Sequence, residues 1–288
     1  MDDSMIGRWL SELPMDDPTR KRTSKPQLRR FIHHDKPISY RNRLGVGGEG
    51  AVFRVRIQGE VYALKIFLDW EYRGPPGLTE RQKGYTSPFS HECRAFGRLD
   101  SLDENGTWAV KCHGWMKLSD EQYKRASRLE LSHLSRWAIV KDYLPDPVSL
   151  DDVPEIRSKM SIARRAQLHP EDTLPRNYRG SFLVDLGRVM TYPYPKRIWS
   201  NRRRRHFYDV FWDEYVSGWQ VSVRYYDSGE VVEGKVNERF KDSIAEEKEA
   251  REKERKENGG EVDNPILYFP EPELPLPSIK IDCPDNCG

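Results

Sequence analysis

The sequence predicts an α+β chain of two lobes: a five-stranded antiparallel lobe with one helix, then a reduced, mainly helical lobe. Three observations predict it. Five short β-type runs fall between Ile38 and Tyr143, a capped helix interrupts them, and a Pro-Asp-Pro linker at residues 145–147 separates them from sequence of helical period.

The strands expected are Ser39–Leu44, Ala51–Ile57, Val61–Phe67, Trp108–Cys112 and Trp137–Tyr143. Gln58-Gly59-Glu60 joins the second and third as a tight hairpin. The helix starts at Ser87-Pro88, an N-cap followed by proline at the first helical position, and Ala95, Phe96 and Leu99 recur at helical spacing. A second helix is expected over Pro154–Gln167, followed by a loop at 169–187 and a Pro-rich stretch, Tyr192–Pro195. Beyond it, Phe207, Val210, Phe211 and Tyr215 mark one side of a helix near Arg202–Trp219, and Val221–Val236 alternates around Asp227-Ser228-Gly229 as a hairpin. The organisation that follows is a mobile basic arm (1–37), a first lobe (38–143), a second lobe (144–240) and a charged, Pro-rich tail (241–288).

A net charge of +2 over 288 residues selects neither nucleic acid nor an acidic membrane through a global field. Hydrophobic residues make up 36% and charged residues 33%, which implies segments that carry no core. No apolar run could span a bilayer and the first residues lack a secretory signal, so the sequence reads as soluble and intracellular, without a membrane partner. Cys93, Cys112, Cys283 and Cys287 stand in unrelated contexts, as in a reducing compartment; the last two supply only half of a structural zinc site and read as tail.

Gly45, Gly47, Gly50 and Val52 fit G-x-G-x-x-G-x-V between two predicted strands. Glycines in that pattern let a backbone approach phosphate oxygens closely, although a flexible hairpin needs them too. The strand-turn-strand context argues against a dinucleotide fold, which requires strand-turn-helix. Lys65 stands in the apolar strand Tyr62-Ala63-Leu64-Lys65-Ile66, where an ammonium needs an anionic partner. At that distance from the glycines it reads as a group that pairs nucleotide phosphates. Glu92 shares the buried helix face with Ala95, Phe96 and Leu99, where a partner for Lys65 should be; taken alone, it reads equally as a first-turn glutamate favoured by the helix dipole. Asp172 and Asn177 have the spacing in which an aspartate accepts a proton from an attacking hydroxyl while the amide oxygen binds Mg²⁺. Asp185, after Phe182-Leu183-Val184, offers Mg²⁺ a hard carboxylate oxygen.

With these residues in order, the chain resembles the protein-kinase-like superfamily across roughly Ile38 to Trp219. More narrowly it resembles the fungal family named after the inner-kinetochore subunit Fta-two of the Sim-four complex. The phrases that carry this are Tyr62-Ala-Leu-Lys-Ile-Phe67, His91-Glu-Cys-Arg-Ala-Phe-Gly-Arg-Leu99, Ile139-Val-Lys-Asp-Tyr143, Arg176-Asn-Tyr-Arg-Gly180 and Leu183-Val-Asp185. The resemblance implies a phosphate-covering loop of Gly45, Gly47 and Gly50, an ion pair of Lys65 and Glu92, Asp172 as catalytic base, Asn177 and Asp185 as metal ligands, ATP and Mg²⁺ as cofactors, and protein partners of the kinetochore kind. There are departures. His169 stands three residues before Asp172, Pro170-Glu171 replaces the usual arginine, and no Ala-Pro-Glu follows Asp185.

Two functions therefore compete: an ATP-dependent phosphotransferase, and a pseudokinase scaffold serving as a kinetochore-type subunit. A third, nucleic-acid contact through Arg202-Arg203-Arg204-Arg205, ranks below a solvated helix start or nuclear-import signal. The location expected is nuclear or cytoplasmic.

Overall fold

Tight antiparallel pairing organises the middle of the chain, because each β-branched run ends in a turn that returns it on its neighbour. The computed structural model describes residues 3–18, 26–72, 74, 76–128, 133–195 and 198. Two short strands come first, β1 (Leu10–Pro14) and β2 (Leu28–Arg30), and then the meander β3 (Ser39–Gly47), β4 (Gly50–Ile57) and β5 (Glu60–Leu68). Helices α1 (Glu80–Gly84) and α2 (Pro88–Ser101) follow, then β6 (Cys112–Lys117), α3 (Asp120–Arg128) and β7 (Leu134–Asp142). The remainder comprises α4 (Val153–Arg165) and four short strands, β8 (Leu168–Pro170), β9 (Tyr178–Arg179), β10 (Phe182–Leu183) and β11 (Val189–Thr191).

The class is mixed α/β, as expected, but the main sheet has seven strands, not five, in the order β1-β2-β6-β7-β5-β4-β3. Nor is it wholly antiparallel: β1 with β2 and β2 with β6 run parallel. The two extra strands come from the stretch expected to be a mobile arm. Two of its basic residues are used within the fold: Arg29 makes a buried, two-pronged pair with Asp100 at 2.8 and 3.0 Å, and Arg30 lies over the Trp115 ring. Gly114 makes room for β2. Its φ is +113°, and a Cβ there would sit 2.6 Å from the Arg29 carbonyl oxygen.

Trp108–Cys112 is not a strand of this sheet. Trp108, Ala109 and Val110 are buried and pair instead with β10, Val110 N–H donating to Leu183 O at 3.0 Å; the sheet strand begins at Cys112. Among the described residues three α-helices, rather than one, precede residue 143. The two unexpected ones have few apolar positions, yet each has a capping box visible in the sequence, Thr79-x-x-Gln82 and Ser119-x-x-Gln122. By contrast α2 starts where expected, with the Ser87 hydroxyl accepting from Ser90 N–H at 3.1 Å and proline at the first turn. The second expected helix is α4.

Buried side chains gather on both faces of the sheet. One cluster joins Phe67, Trp115, Trp137 and Ile139 to Phe89, Cys93 and Phe96 of α2 and to Ile156 and Met160 of α4. The other holds Phe53, Val55, Leu64, Ile66 and Val140, with Ala126 of α3 against it. Cys93 and Cys112 are buried and free, and no helix among the described residues is long and apolar enough to cross a membrane. The helix expected near Arg202–Trp219, the hairpin at Val221–Val236, the arginine run, the tail and its two cysteines lie outside the described residues.

Candidate functional site

Strand register brings the first half of the site together. Val52 of β4 pairs with Lys65 of β5, Gly45 of β3 with Val52, and Lys65 with Ile139 of β7. Residues directly opposite share a face, so Lys65 projects on the side that carries α2. The Lys65 ammonium is 3% exposed, and carboxylates meet all three of its hydrogens: Glu92 Oε1 in a close ion pair, Asp185 Oδ1 at 2.8 Å and Glu49 Oε2 at 3.4 Å. Burial by itself would lower the Lys65 pKa, but Glu92, Asp185 and Glu49 outweigh it and raise it, so the site holds a permanent cation.

Glu92 is fully buried in the first turns of α2, as the helical spacing requires. Its second oxygen takes a second ammonium, Lys141 Nζ, at 3.2 Å, and Lys141 also donates to Val184 O at 2.8 Å. Asp185 follows β10 and is fixed by Gly187 N–H, which donates to the same Oδ1 at 2.9 Å. Burial would raise its pKa; the charges of Lys65 and Lys141 outweigh that and hold it well below the usual carboxylate range.

Asn177 is joined to this group through the chain, since Val184 N–H donates to Asn177 O at 2.7 Å. Its amide nitrogen donates to Asp172 O at 3.1 Å, which secures the loop carrying Asp172. The Asp172 carboxylate itself faces Arg176, 3.8 Å away, and makes no bond to Lys65 or Asp185. His169 is buried in β8, with Nδ1 3.3 Å from Met190 O of β11, so it supports that strand pair.

The glycines divide into two kinds. A Cβ at Gly45 or Gly47 would meet nothing within 4 Å, so that end of the hairpin stands clear of the body. A Cβ at Gly50 would lie 2.3 Å from Ile66 O, so this glycine serves the packing of β4 on β5.

Lys141, Glu49 and Arg188 are the members of the centre not anticipated from sequence. Lys141 carried a signal, a lysine directly after the apolar run Trp137–Val140. Glu49, an unconstrained position in the glycine pattern, and Arg188, which lies 3.7 Å from Glu49 Oε1, carried none.

Asp185 Oδ2 and Asn177 Oδ1 make no hydrogen bond or ion pair among the described residues, and each is a hard oxygen of the kind a divalent cation takes. The buried ammonium of Lys65, 2.8 Å from Asp185 Oδ1, suits phosphate oxygens.

A sequence profile of the family described as kinetochore Sim4 complex subunit FTA2 matches residues 13–190. The chain belongs to that family. No match was found among curated proteins. Among solved structures, a ROP18 kinase domain in complex with AMP-PNP and sucrose is similar at 12% identity with a TM-score of 0.39, over 54% of this chain and 53% of that one. This FTA2-family chain thus spans about half the length of that kinase domain.

Proposed function

We propose that this chain is a kinase-like subunit of a kinetochore assembly, one that holds the phosphates of MgATP at Lys65 and acts through protein partners in the nucleus. The observation that carries the nucleotide reading is the Lys65 ammonium held between Glu92 of α2 and Asp185. A lysine buried in a strand, aligned by a helix carboxylate and adjoining a second carboxylate with an unused oxygen, is the arrangement that phosphate recognition with a divalent ion requires. In this reading β3 to β7 with α2 belong to the first lobe, and α4 with β8 to β11 belong to the second. Lys65 would hold phosphate oxygens, and Gly45, Gly47 and Val52 would contribute to the nucleotide site. Asn177 and Asp185 would hold the Mg²⁺, and that ion would supply neutralisation of phosphate charge. Asp172 orients a hydroxyl and accepts its proton.

The scaffold reading without phosphate transfer also has an observation in its favour. The Asp172 carboxylate lies beside exposed Arg176, and Pro170-Glu171 removes the arginine that would fix its loop.

A thermal melt of the full chain with and without excess MgATP tests the nucleotide reading. Ligand at 100 times its dissociation constant stabilises by about 2.7 kcal/mol, or roughly 5–10 °C in midpoint. The shift is expected in the wild type and not in a folded Lys65→Ala, Asp185→Ala double variant. No shift in the wild type leaves the scaffold.

A further inference from the structure

We infer that Glu49 is a built-in competitor for the phosphate site: its carboxylate takes the place on Lys65 that a nucleotide phosphate needs, and it must swing out before ligand can enter. This rests on the nucleotide reading above and adds a regulatory contact to it.

Lys65 has three hydrogens and three carboxylates around it, so an incoming phosphate oxygen must replace one of them. The three are not equally held. Glu92 is fully buried and bound on its other oxygen by Lys141. Asp185 Oδ1 is bound additionally by Gly187 N–H at 2.9 Å. Glu49 has the longest contact to Lys65, 3.4 Å, and among the described residues its other oxygen meets only Arg188, 3.7 Å away on an exposed side chain. It is the replaceable partner.

Its location fits a latch. Glu49 stands at the tip of the β3–β4 hairpin, where Gly45, Gly47 and Gly48 have open space beside them. Leu68 N–H donates to Glu49 O at 3.0 Å, so the tip keeps one tie to β5 and loses another when the carboxylate leaves. In the closed position the carboxylate lies over Gly187, where a Cβ would come within 1.9 Å of Glu49 Oε2. The contact therefore spans the gap between the glycine hairpin and the Asp185 segment. Two carboxylates remain for Lys65 once Glu49 leaves, and the phosphate takes the vacated hydrogen while Arg188 becomes free to meet the same anion.

The test uses the full-length chain, its Glu49→Gln and Glu49→Ala variants, calorimetric titration with MgATP, and amide exchange of residues 44–49 without nucleotide. A latch closed about 90% of the time raises the apparent dissociation constant about tenfold, so Glu49→Ala is expected to bind about tenfold tighter than wild type. Glu49→Gln, which keeps the shape and loses the charge, should bind more tightly than wild type as well. Exchange at the tip should accelerate in both variants. Wild type and Glu49→Ala binding MgATP equally well would overturn the competition alone. Faster exchange in the variants with no MgATP binding by any protein would overturn the nucleotide reading, and the competition with it. Unchanged exchange would show that the contact holds nothing in place and would also overturn the inference.

Discussion

The Glu92 carboxylate bridges two buried ammonium groups, with Lys65 on Oε1 and Lys141 3.2 Å from Oε2. The two lysines come from adjacent strands, β5 and β7, whereas the glutamate comes from α2, so the bridge ties the helix to the sheet at its most charged point. Removing the shared carboxylate leaves two charges that cannot reach water.

Glu92→Gln is accordingly expected to cost about 3–5 kcal/mol, the range for breaking a buried ion pair from one side. Lys141→Met, of similar volume, leaves Glu92 paired with Lys65 and should cost roughly half as much. Urea denaturation of the two variants checks the ordering. A Lys141→Met protein less stable than Glu92→Gln would contradict the bridge.

Asp172→Asn should leave the melting temperature within about 1 °C of wild type, since the carboxylate has only a 3.8 Å contact to an exposed arginine. The MgATP-induced shift should persist as well. If phosphate transfer to protein is detectable in the wild type, it should fall by a factor of about 100 or more, the usual contribution of a positioned base. Loss of nucleotide binding would place Asp172 in the ligand site itself.

Stability should decline in mild acid. His91 of α2 is buried, with Nδ1 donating to Gly187 O at 2.7 Å, and burial lowers its pKa to about 4. In the unfolded chain an imidazole titrates near 6.5. Between those values the unfolded state binds a proton that the folded state does not, so stability falls as pH drops from about 6.5 toward 4. The contribution lost between pH 7 and pH 5 is about 2 kcal/mol. Denaturation at the two pH values should give a smaller difference in His91→Gln, and an equal difference would assign the acid sensitivity to other groups.

Gly114→Val should detach β2 from the sheet. The substitution forces a β-branched residue into a φ of +113° and drives its Cβ against the Arg29 carbonyl. A loss of about 2 kcal/mol or more is expected, with accelerated amide exchange at residues 28–31 and unchanged protection in β4 and β5.

Much of the centre was legible because its chemistry is periodic. Glu92 could be placed on the buried face of α2 from the spacing of Ala95, Phe96 and Leu99, and the Ser87-Pro88 cap fixed where that helix begins. The pairing of Lys65 with Glu92 could not be read, because the chain from Asp69 to Thr86 separates strand from helix and sets the register only through tertiary contacts. β1 and β2 escaped for a different reason. They are short, and β2 holds two arginines whose burial is compensated by Asp100 and Trp115, partners distant in sequence. Composition marked them as solvated, whereas pairing made them part of the sheet. Glu49 left no pattern at all, since its role depends on where the hairpin tip lands.

One face of α2 reaches the chain after Asp185 on successive turns. His91 bonds Gly187 O, Arg94 bonds the carbonyls of Thr191 and Pro193, and Arg98 bonds Tyr192 O. Residues 187–193 therefore travel with the helix as one piece, and Glu92 cannot withdraw from Lys65 by a swing of α2 unless that whole strap comes away too. With α2 bound to the strap at His91, Arg94 and Arg98, the helix that carries Glu92 is braced along its length as well as at its charged end.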